Sequence, residues 1–345
     1  MTSISISDKQ GKSRTANGLR PVNLRTDLGE LADLIELAFA DSMDSSGRAA
    51  IREMRALSSM GIARGILMGL NELAEGIGLG YVWVEDDRVV GNASIYPAHL
   101  PRGTARSWII ANVAVHPEYR GRGIATALMQ SCLSAIRERS HVAHPRAILQ
   151  VVDPNPVALH LYETLGFQRE GRFTYWRRSA TARSAPLPDD APRLYITRRR
   201  SSEWRAEYAL AQRVRPTEGG GVGWLRPLVP GLFRRNLFSQ ISDMLSLRSM
   251  ERLVIREEGR NAALLRASMW IEAGITSSST QLTLMCDPEV SELYGDALLR
   301  LAISRFRLRT ALTVEHPADD EPINELLRQY NFVAQRTLVH MHWQP

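Results

Sequence analysis

The sequence predicts an α/β fold of the α+β mixed-sheet kind, present twice in tandem, and three observations carry that expectation. A chain of 345 residues exceeds what one ordinary core accommodates, so two domains are expected. Strand-length runs come first and are followed by two strand–helix units, the order of a mixed, mostly antiparallel sheet flanked by helices. The second half also repeats the outline of the first. Val115-His116-Pro117-Glu118 corresponds to Cys286-Asp287-Pro288-Glu289, and residues 163–167 correspond to 328–332. Gly166 is there matched by Asn331, and these two residue types tolerate the left-handed position that follows a helix.

The elements follow in order. Residues 1–18 form a polar tail with Lys9, Lys12 and Arg14 but no apolar run, which reads as disordered and not as a secretory leader. A short strand opens the fold at residues 18–22. A helix follows over 28–40, with Leu31, Leu34, Ile35 and Ala38 at helical spacing. Residues 48–73 keep a helical pattern that Gly61, Gly65 and Gly69 interrupt. A hairpin comes next, 81–84 and 89–96 about an Asp86-Asp87 turn. Then come a strand at 108–115, a helix at 124–139, a strand at 147–152, a helix at 156–165 and a closing strand at 172–177. Residues 179–192 are rich in Pro, Ala and Asp without periodicity and read as a linker. The domains are therefore expected at 19–178 and 193–345. In the second, 194–198 and the amphipathic run after Glu203 match the opening strand and helix, while 252–255 and 263–271 match the hairpin.

With 44% hydrophobic and 23% charged residues, the composition is that of a soluble globular protein, and no apolar run is long enough to span a membrane. Cys132 and Cys286 are the only cysteines, which argues against a disulfide framework or a cysteine zinc site and for a reducing cytoplasm. The net charge is +6, and Lys9 and Lys12 are the only lysines among 43 basic residues. Arginine suits oxyanion recognition, but codon bias explains the preference more simply. Residues 193–235 hold ten arginines against Glu203, Glu207 and Glu218, with Trp204 and Trp224 interleaved. This reads as a solvated helix face beside a floppy Gly219-Gly220-Gly221 loop in preference to a nucleic-acid patch. His141 and His144 lack further ligands nearby and read as surface residues, so no metal is expected. Cys132 falls on an apolar stripe with Leu128 and Ala135.

The segment that carries chemistry is Asn112-Val113-Ala114-Val115-His116-Pro117-Glu118-Tyr119-Arg120-Gly121-Arg122-Gly123-Ile124-Ala125. It leads from a strand through glycines into a helix. Unpaired amides and partial positive charge at a helix N-terminus favour an anion, and glycine lets the backbone approach phosphate oxygens closely. A Walker loop is excluded because no lysine follows position 12, and a dinucleotide fingerprint fails because Thr126 stands where glycine is needed. The pattern Arg/Gln-x-x-Gly-x-Gly/Ala is satisfied by residues 120–125.

Here the chain resembles the GNAT superfamily of acyl-CoA-dependent N-acyltransferases. The loop follows Val-Ala-Val-His-Pro, and the next strand leads through Asp153-Pro154-Asn155-Pro156 into the 158–167 segment ALHLYETLGF. The resemblance covers about 19–178, with a degenerate version over about 193–345. It implies two tandem GNAT-like domains and acetyl-CoA or another acyl-CoA as co-substrate. It implies that Val113, Ala114 and Val115 offer backbone to pantetheine as though to an added strand, with an amide near Val113 free to polarise the thioester carbonyl. The amides of Arg120, Gly121, Arg122, Gly123, Ile124 and Ala125 would hold the pyrophosphate. Asn155 would touch the pantetheine arm, although it also reads as a plain helix N-cap. Tyr162 would protonate the departing thiolate, a reading preferred to that of a core aromatic.

The resemblance further implies an acceptor that is a small-molecule or peptide amine; no membrane partner is expected, nucleic-acid binding through the arginine-rich segment is the weaker reading, and a monomer or homodimer is expected. That amine must lose a proton before it attacks. The strand glutamate that some family members use falls at Ile109, so Asn112, His116 and Asp153 are the nearby candidates and the base is unassigned. His116 reads better as shaping the strand exit and Asp153 as capping the turn. In the second half the loop becomes Ser291-Glu292-Leu293-Tyr294-Gly295-Asp296, which puts Glu292 and Asp296 where pyrophosphate would lie, and Tyr162 becomes Leu327. The expectation is an N-acetyltransferase with a structural second copy. A non-catalytic acyl-CoA sensor or scaffold is the alternative.

Overall fold

The structure is a computed structural model that describes residues 17–345 except 41–42, 44, 60–79, 102–103, 140–144, 183–193, 235–247, 258–263 and 275–278. The basic tail, the segment with Gly61, Gly65 and Gly69, His141 and His144, and the body of the linker lie outside the described residues. Packing divides the chain into two compact units, residues 1–97 with 108–141 and residues 98–107 with 142–345.

In the first unit the strands β1 (Gly18–Pro21), β2 (Gly80–Glu85), β3 (Arg88–Pro97) and β4 (Ser107–Val115) pair antiparallel in that order. The β2–β3 turn is made by Asp86 and Asp87, at φ +50° and +59°, the left-handed pair that matches a hairpin's twist. One face of the sheet is covered by α1 (Leu28–Phe39) and α2 (Ser45–Ser59). Leu28, Leu31, Leu34 and Ile35 of α1 meet Ile51 and Met54 of α2 over Val82, Val84, Val89 and Ala114. Each such aliphatic side chain contributes about 1.5–3 kcal/mol by leaving water. The buried carboxylate of Asp27 anchors the start of α1 through Arg20 at 2.6 Å. On β3, α3 (Ile124–Arg139) approaches so closely that a Cβ on Gly91 would lie 2.8 Å from Ile124 Cγ2. Cys132 is buried on this helix, as its stripe position predicts.

The second unit is built on a sheet in the order β5-β12-β6-β11-β10-β9-β8-β7. Its strands are β5 (Arg146–Asp153), β6 (Gln168–Arg178), β7 (Ile196–Arg198), β8 (Arg248–Arg256), β9 (Leu265–Gly274), β10 (Ser279–Cys286), β11 (Ala311–Pro317) and β12 (Val333–Trp343). Only β10 and β11 pair parallel. Among the described residues its longer helices are α4 (Pro156–Thr164), α5 (Trp204–Val214), α6 (Ser291–Phe306) and α7 (Glu321–Gln329). Leu298, Leu299, Ala302 and Ile303 of α6 and Ile323 and Leu327 of α7 share a core with Leu282, Leu284 and Val314. A separate cluster joins Leu210 and Ala211 of α5 to Phe233, Trp270 and Met285. Glu207 of α5 is fully buried there, accepting from Trp270 Nε1 at 2.7 Å, Ser268 Oγ at 2.6 Å and Arg252 at 3.1 Å, and pairing with Arg199 at 2.9 Å. A buried carboxylate is tolerated because so many donors surround it.

The element order of 18–178 recurs in 196–343. Both α4 and α7 have nine residues, both β6 and β12 have eleven, and Gly166 and Asn331 each follow their helix at positive φ (+88° and +60°). The division by packing nevertheless does not follow the duplicated halves. The last strand of each half is inserted into the other: β12 lies between β5 and β6, and β6 lies between β12 and β11. The sequence also understates β6, which runs from Gln168 and not from Arg172, because its first residues pair with the distant β12.

The arginine-rich 193–235 segment departs from expectation as well. Arg205 and Arg213 of α5 are exposed, as a solvated helix face requires, but outside the helix Arg199 and Arg215 are buried, and Arg226 is held by Glu272 and by Thr283 Oγ1 at 3.0 Å. The Gly219-Gly220-Gly221 loop is tightly seated. The amides of Gly219, Gly220 and Gly221 donate to Pro216 and Thr217 carbonyls, and Gly219 O would lie 2.3 Å from a Cβ on Gly171 of β6.

Candidate functional site

In the first unit, β4 is interrupted where the chemistry is expected. The register with β3 jumps from Asn92↔Ala114 to Ser94↔Ala111, so Asn112 and Val113 form a bulge, with Asn112 at φ +53°. Asparagine tolerates that conformation, which is a structural reason for its presence. The bulge is pinned by Asn92, buried on β3, whose Nδ2 donates to Asn112 O at 2.9 Å. Asn92 was not legible as a site residue, since its partner is 20 positions away. The Ala114 side chain belongs to the core, leaving only its backbone for a ligand, and Val113 and Val115 are half-buried. Ile109 is buried opposite Tyr96 and offers no acid–base group; burial raises the pKa of the Tyr96 phenol.

Beyond β4 the chain makes a single turn at Pro117–Tyr119 and then the glycine loop. Gly121 and Gly123 stand at φ +78° and +76°, and a Cβ on either would meet nothing within 4 Å. Their necessity is thus conformational, and the space beside them is open. The first bond of α3 to the loop runs from Ala127 N–H to Gly123 O at 3.0 Å. Among the described residues the amides of Ile124, Ala125 and Thr126 therefore have no partner, the arrangement that binds phosphate oxygens. Arg120 Nε donates to Val115 O at 3.2 Å, bracing the loop against the strand. Arg122 lies over the Tyr119 ring at 4.9 Å and pairs loosely with Glu85 at 3.4 Å, so its guanidinium stays exposed and free to move to an anion.

In the second unit, β5 leads through Pro154 to α4. Asn155 is the N-cap: its Oδ1 accepts from Ala158 N at 3.0 Å. Tyr162 lies on the buried face of α4 at 6% exposure, its ring 5.9 Å from that of Phe167. Its hydroxyl has no hydrogen-bond partner among the described residues, and burial pushes its pKa up to about 12. Asp153 does not cap the turn as expected. It pairs with Arg172 at 2.6 Å, which satisfies it as a carboxylate and removes it from easy service as a base. His116, in the first unit, sits at the strand exit with Nδ1 unpartnered by any hydrogen bond and Glu118 3.9 Å away.

The counterpart in the second half is not an acidic loop. Without two glycines at left-handed φ, α6 begins at Ser291, three residues after Pro288, where α3 begins seven after Pro117. Asp296 is in the helix, bound to Arg300 and Tyr330, and Leu327 is wholly buried in the core. The parallel pairing of β10 and β11 stops at Leu282↔Val314. The strands' continuation is bridged by the buried Arg215, which donates to Leu284 O at 2.7 Å and lies 2.9 Å from His316 Nδ1. A side chain of the protein thus occupies the gap beside β10. Among the described residues, no group of three or more His, Cys, Asp or Glu could hold a metal.

The profile of the Acetyltransferase (GNAT) family matches residues 61–167, the stretch that holds both the glycine loop and Tyr162. That stretch is similar to GNAT-family acetyltransferases. The GNAT segment is 37% identical over 92 residues to N-alpha-acetyltransferase 30 of Schizosaccharomyces pombe, covering 27% of this chain and 59% of that protein. It is 29% identical over 100 residues to human N-acetyltransferase 8B, covering 28% and 43%. The chain thus spans about half the length of these relatives. Among solved structures, a GCN5-related N-acetyltransferase from Sphaerobacter thermophilus has a TM-score of 0.52 at 16% identity, covering 94% of this chain and 95% of that one. The GCN5-related glucosamine N-acetyltransferase region of a fungal multi-domain GH3 beta-N-acetylglucosaminidase has a TM-score of 0.56 at 14% identity, covering 95% and 38%. Both likenesses are of fold.

Proposed function

We propose that the chain transfers an acetyl or similar acyl group from acetyl-CoA to an amine by direct attack. The observation that carries this reading is the set of unpaired amides of Ile124, Ala125 and Thr126 behind two left-handed glycines, a cradle shaped for a pyrophosphate. In this reading Arg120 and Arg122 add charge beside the cradle. The backbone freed at the Asn112–Val113 bulge pairs with pantetheine and polarises the thioester carbonyl. Asn155 serves the pantetheine arm, although its side-chain oxygen is also the cap of α4.

Tyr162 is the proton donor at the sulfur. With its pKa pushed up to about 12, the phenol is protonated at neutral pH. Full transfer to a thiolate whose parent thiol ionises near ~8.5 is uphill, so its contribution is a hydrogen bond to the departing sulfur that strengthens as charge develops there. The amine's own proton leaves through Asn112 backbone water or His116, the base being otherwise unassigned.

The reading divides the chain into an acyl-CoA-binding catalytic domain over 19–178, a linker over 179–192 and a degenerate GNAT-like copy over 193–345, the whole acting in the cytoplasm as a monomer or homodimer. The buried Ile109 supports a second reading, a non-catalytic acyl-CoA sensor. Thiol release from acetyl-CoA across a panel of small amines and peptides separates the two. Turnover on any acceptor supports the enzyme, and tight CoA binding with no turnover supports the sensor.

A further inference from the structure

In the second unit two arginines meet across β6 and β12 with no acid between them. Tyr175 and Arg177 stand two apart on β6 and so share a face of the sheet. Arg336 of β12 lies opposite Tyr175, and Val333 lies opposite Arg177, with a bulge at Gln335 between these pairs. Arg177 and Arg336 are therefore diagonal neighbours on one face, their Cβ atoms roughly 7–8 Å apart. Trp176, between Tyr175 and Arg177, points the other way into the core shared with α6 and α7.

The donors of this group are uncommitted. Arg177 is exposed, and among the described residues its guanidinium has no hydrogen bond or ion pair. Arg336 is half-buried, with Cζ 5.8 Å from the centre of the Tyr175 ring and Nε shut off from water without a partner. A ring against a guanidinium holds its plane and leaves the in-plane N–H fork for another partner. The Tyr175 hydroxyl is also without a partner among the described residues.

The nearby charges do not cancel. Glu315 of β11 lies opposite Tyr175 on the same face, but its carboxylate is turned to the Trp224 amide at 3.2 Å and to His340 Nε2 at 3.4 Å, in the field of the buried Arg215. Glu272 is taken by Arg226, and Asp153, on the other face, is taken by Arg172. Arg307 and Arg309, exposed where the chain passes Ala180 after β6, add further positive charge. Like charges on neighbouring strands are unfavourable by themselves. An oxyanion between them reverses the sign of that interaction, and two guanidinium forks with a phenol donor match its lone pairs.

We propose that Arg177, Arg336 and the Tyr175 hydroxyl form an oxyanion site, taking the carboxylate or phosphate end of a small ligand. Arg336 precedes Thr337, which pairs with Asp153 where β5 turns toward Asn155 and α4, so on the acyl-transfer reading the ligand is an acceptor amine that also carries an anionic group. That assignment rests on the acyl-transfer reading; the binding itself does not.

The test is titration of the full chain with propionate, inorganic phosphate and n-propylammonium at constant ionic strength, followed by NMR shifts. It is run with and without saturating CoA, which fills the cradle at α3. The tighter of the two oxyanions is expected to bind at least tenfold more tightly than n-propylammonium with CoA present, and its identity says which oxyanion the site prefers. Arg177→Gln and Arg336→Gln should each weaken it about tenfold. Arg309→Gln, which removes an equal charge from the same end of the sheet, should change it less than twofold. Thermal melting confirms that each variant is folded. An equal loss in Arg309→Gln marks a diffuse positive surface and overturns the proposal, as does oxyanion affinity that survives both Arg177→Gln and Arg336→Gln. A matching fall in CoA affinity in Arg336→Gln makes CoA itself the oxyanion and overturns a separate site. Failure of the wild-type chain to bind CoA would instead strike the acyl-transfer reading and leave the oxyanion result standing.

Discussion

Tyr162 and Asn92 show how differently single residues reveal themselves. Tyr162 is recognisable in the sequence because the 153–167 segment around it resembles the GNAT superfamily; its helix pattern, N-cap and glycine stop alone mark only a helix. Its burial then supplies a phenol that keeps its proton. Tyr162→Phe removes the hydroxyl while keeping the ring that packs on Phe167, so turnover should fall by about 10²-fold with CoA affinity little changed, read from steady-state thiol release and direct CoA titration. Asn92 carries no comparable mark. Its importance is the bond to Asn112 O across two strands, and only pairing of β3 with β4 creates it. Asn92→Ala should leave that carbonyl unsatisfied beside the bulge, costing about 1–3 kcal/mol in urea unfolding.

At the scale of the element, the glycine loop and the helix it opens form the most legible part of the molecule. Left-handed φ at Gly121 and Gly123 is a requirement of the backbone itself, so it appears in the sequence as glycine whatever the rest of the fold does. Gly123→Ala places a Cβ in a left-handed residue at a cost of about 1–2 kcal/mol and intrudes on the open space beside the amides. Stability should drop by about that amount, and CoA affinity should weaken at least tenfold in a titration. The second half shows the complement. With those glycines absent, α6 starts four residues earlier relative to its proline, and its Asp296 goes to Arg300 and Tyr330. A residue-by-residue alignment cannot show this, because it preserves the spacing of a loop that has become helix.

The whole molecule is decided by which strands find one another. Because β12 lies between β5 and β6, a chain ending at residue 178 would leave both strands without their partner. Such a truncated chain is expected to aggregate or to lack cooperative unfolding by circular dichroism, and a folded, CoA-binding monomer would contradict this. Two buried clusters of the second unit should also be visible in stability. Glu207→Ala would strand Arg199 and Arg252 in the interior and should cost about 3–5 kcal/mol in urea unfolding. Burial, reinforced by Arg215, lowers the pKa of His316 to about 4, below the usual ~6.5. The folded state therefore resists its protonation. The stabilising share of His316 is whole above about pH 6.5 and is lost progressively as pH falls toward 4, a change of roughly 3 kcal/mol. His316→Gln should flatten that part of the stability–pH curve.

The sequence by itself determined the features whose causes are local. The hairpin at Asp86-Asp87, the glycine loop at 120–125, the helix at Ile124–Arg139, the N-cap at Asn155 and the matched Gly166 and Asn331 all follow from backbone conformations set within a few residues. Tertiary structure alone decided the exchange of β6 and β12, the burial of Arg199 and Arg215 from a stretch that reads as solvated, and the meeting of Arg177 with Arg336. The physical reason is common to these. A strand's alternating pattern says which face is buried but not which neighbour completes the sheet, and an arginine's charge does not say whether a carboxylate or carbonyl from a distant strand will meet it.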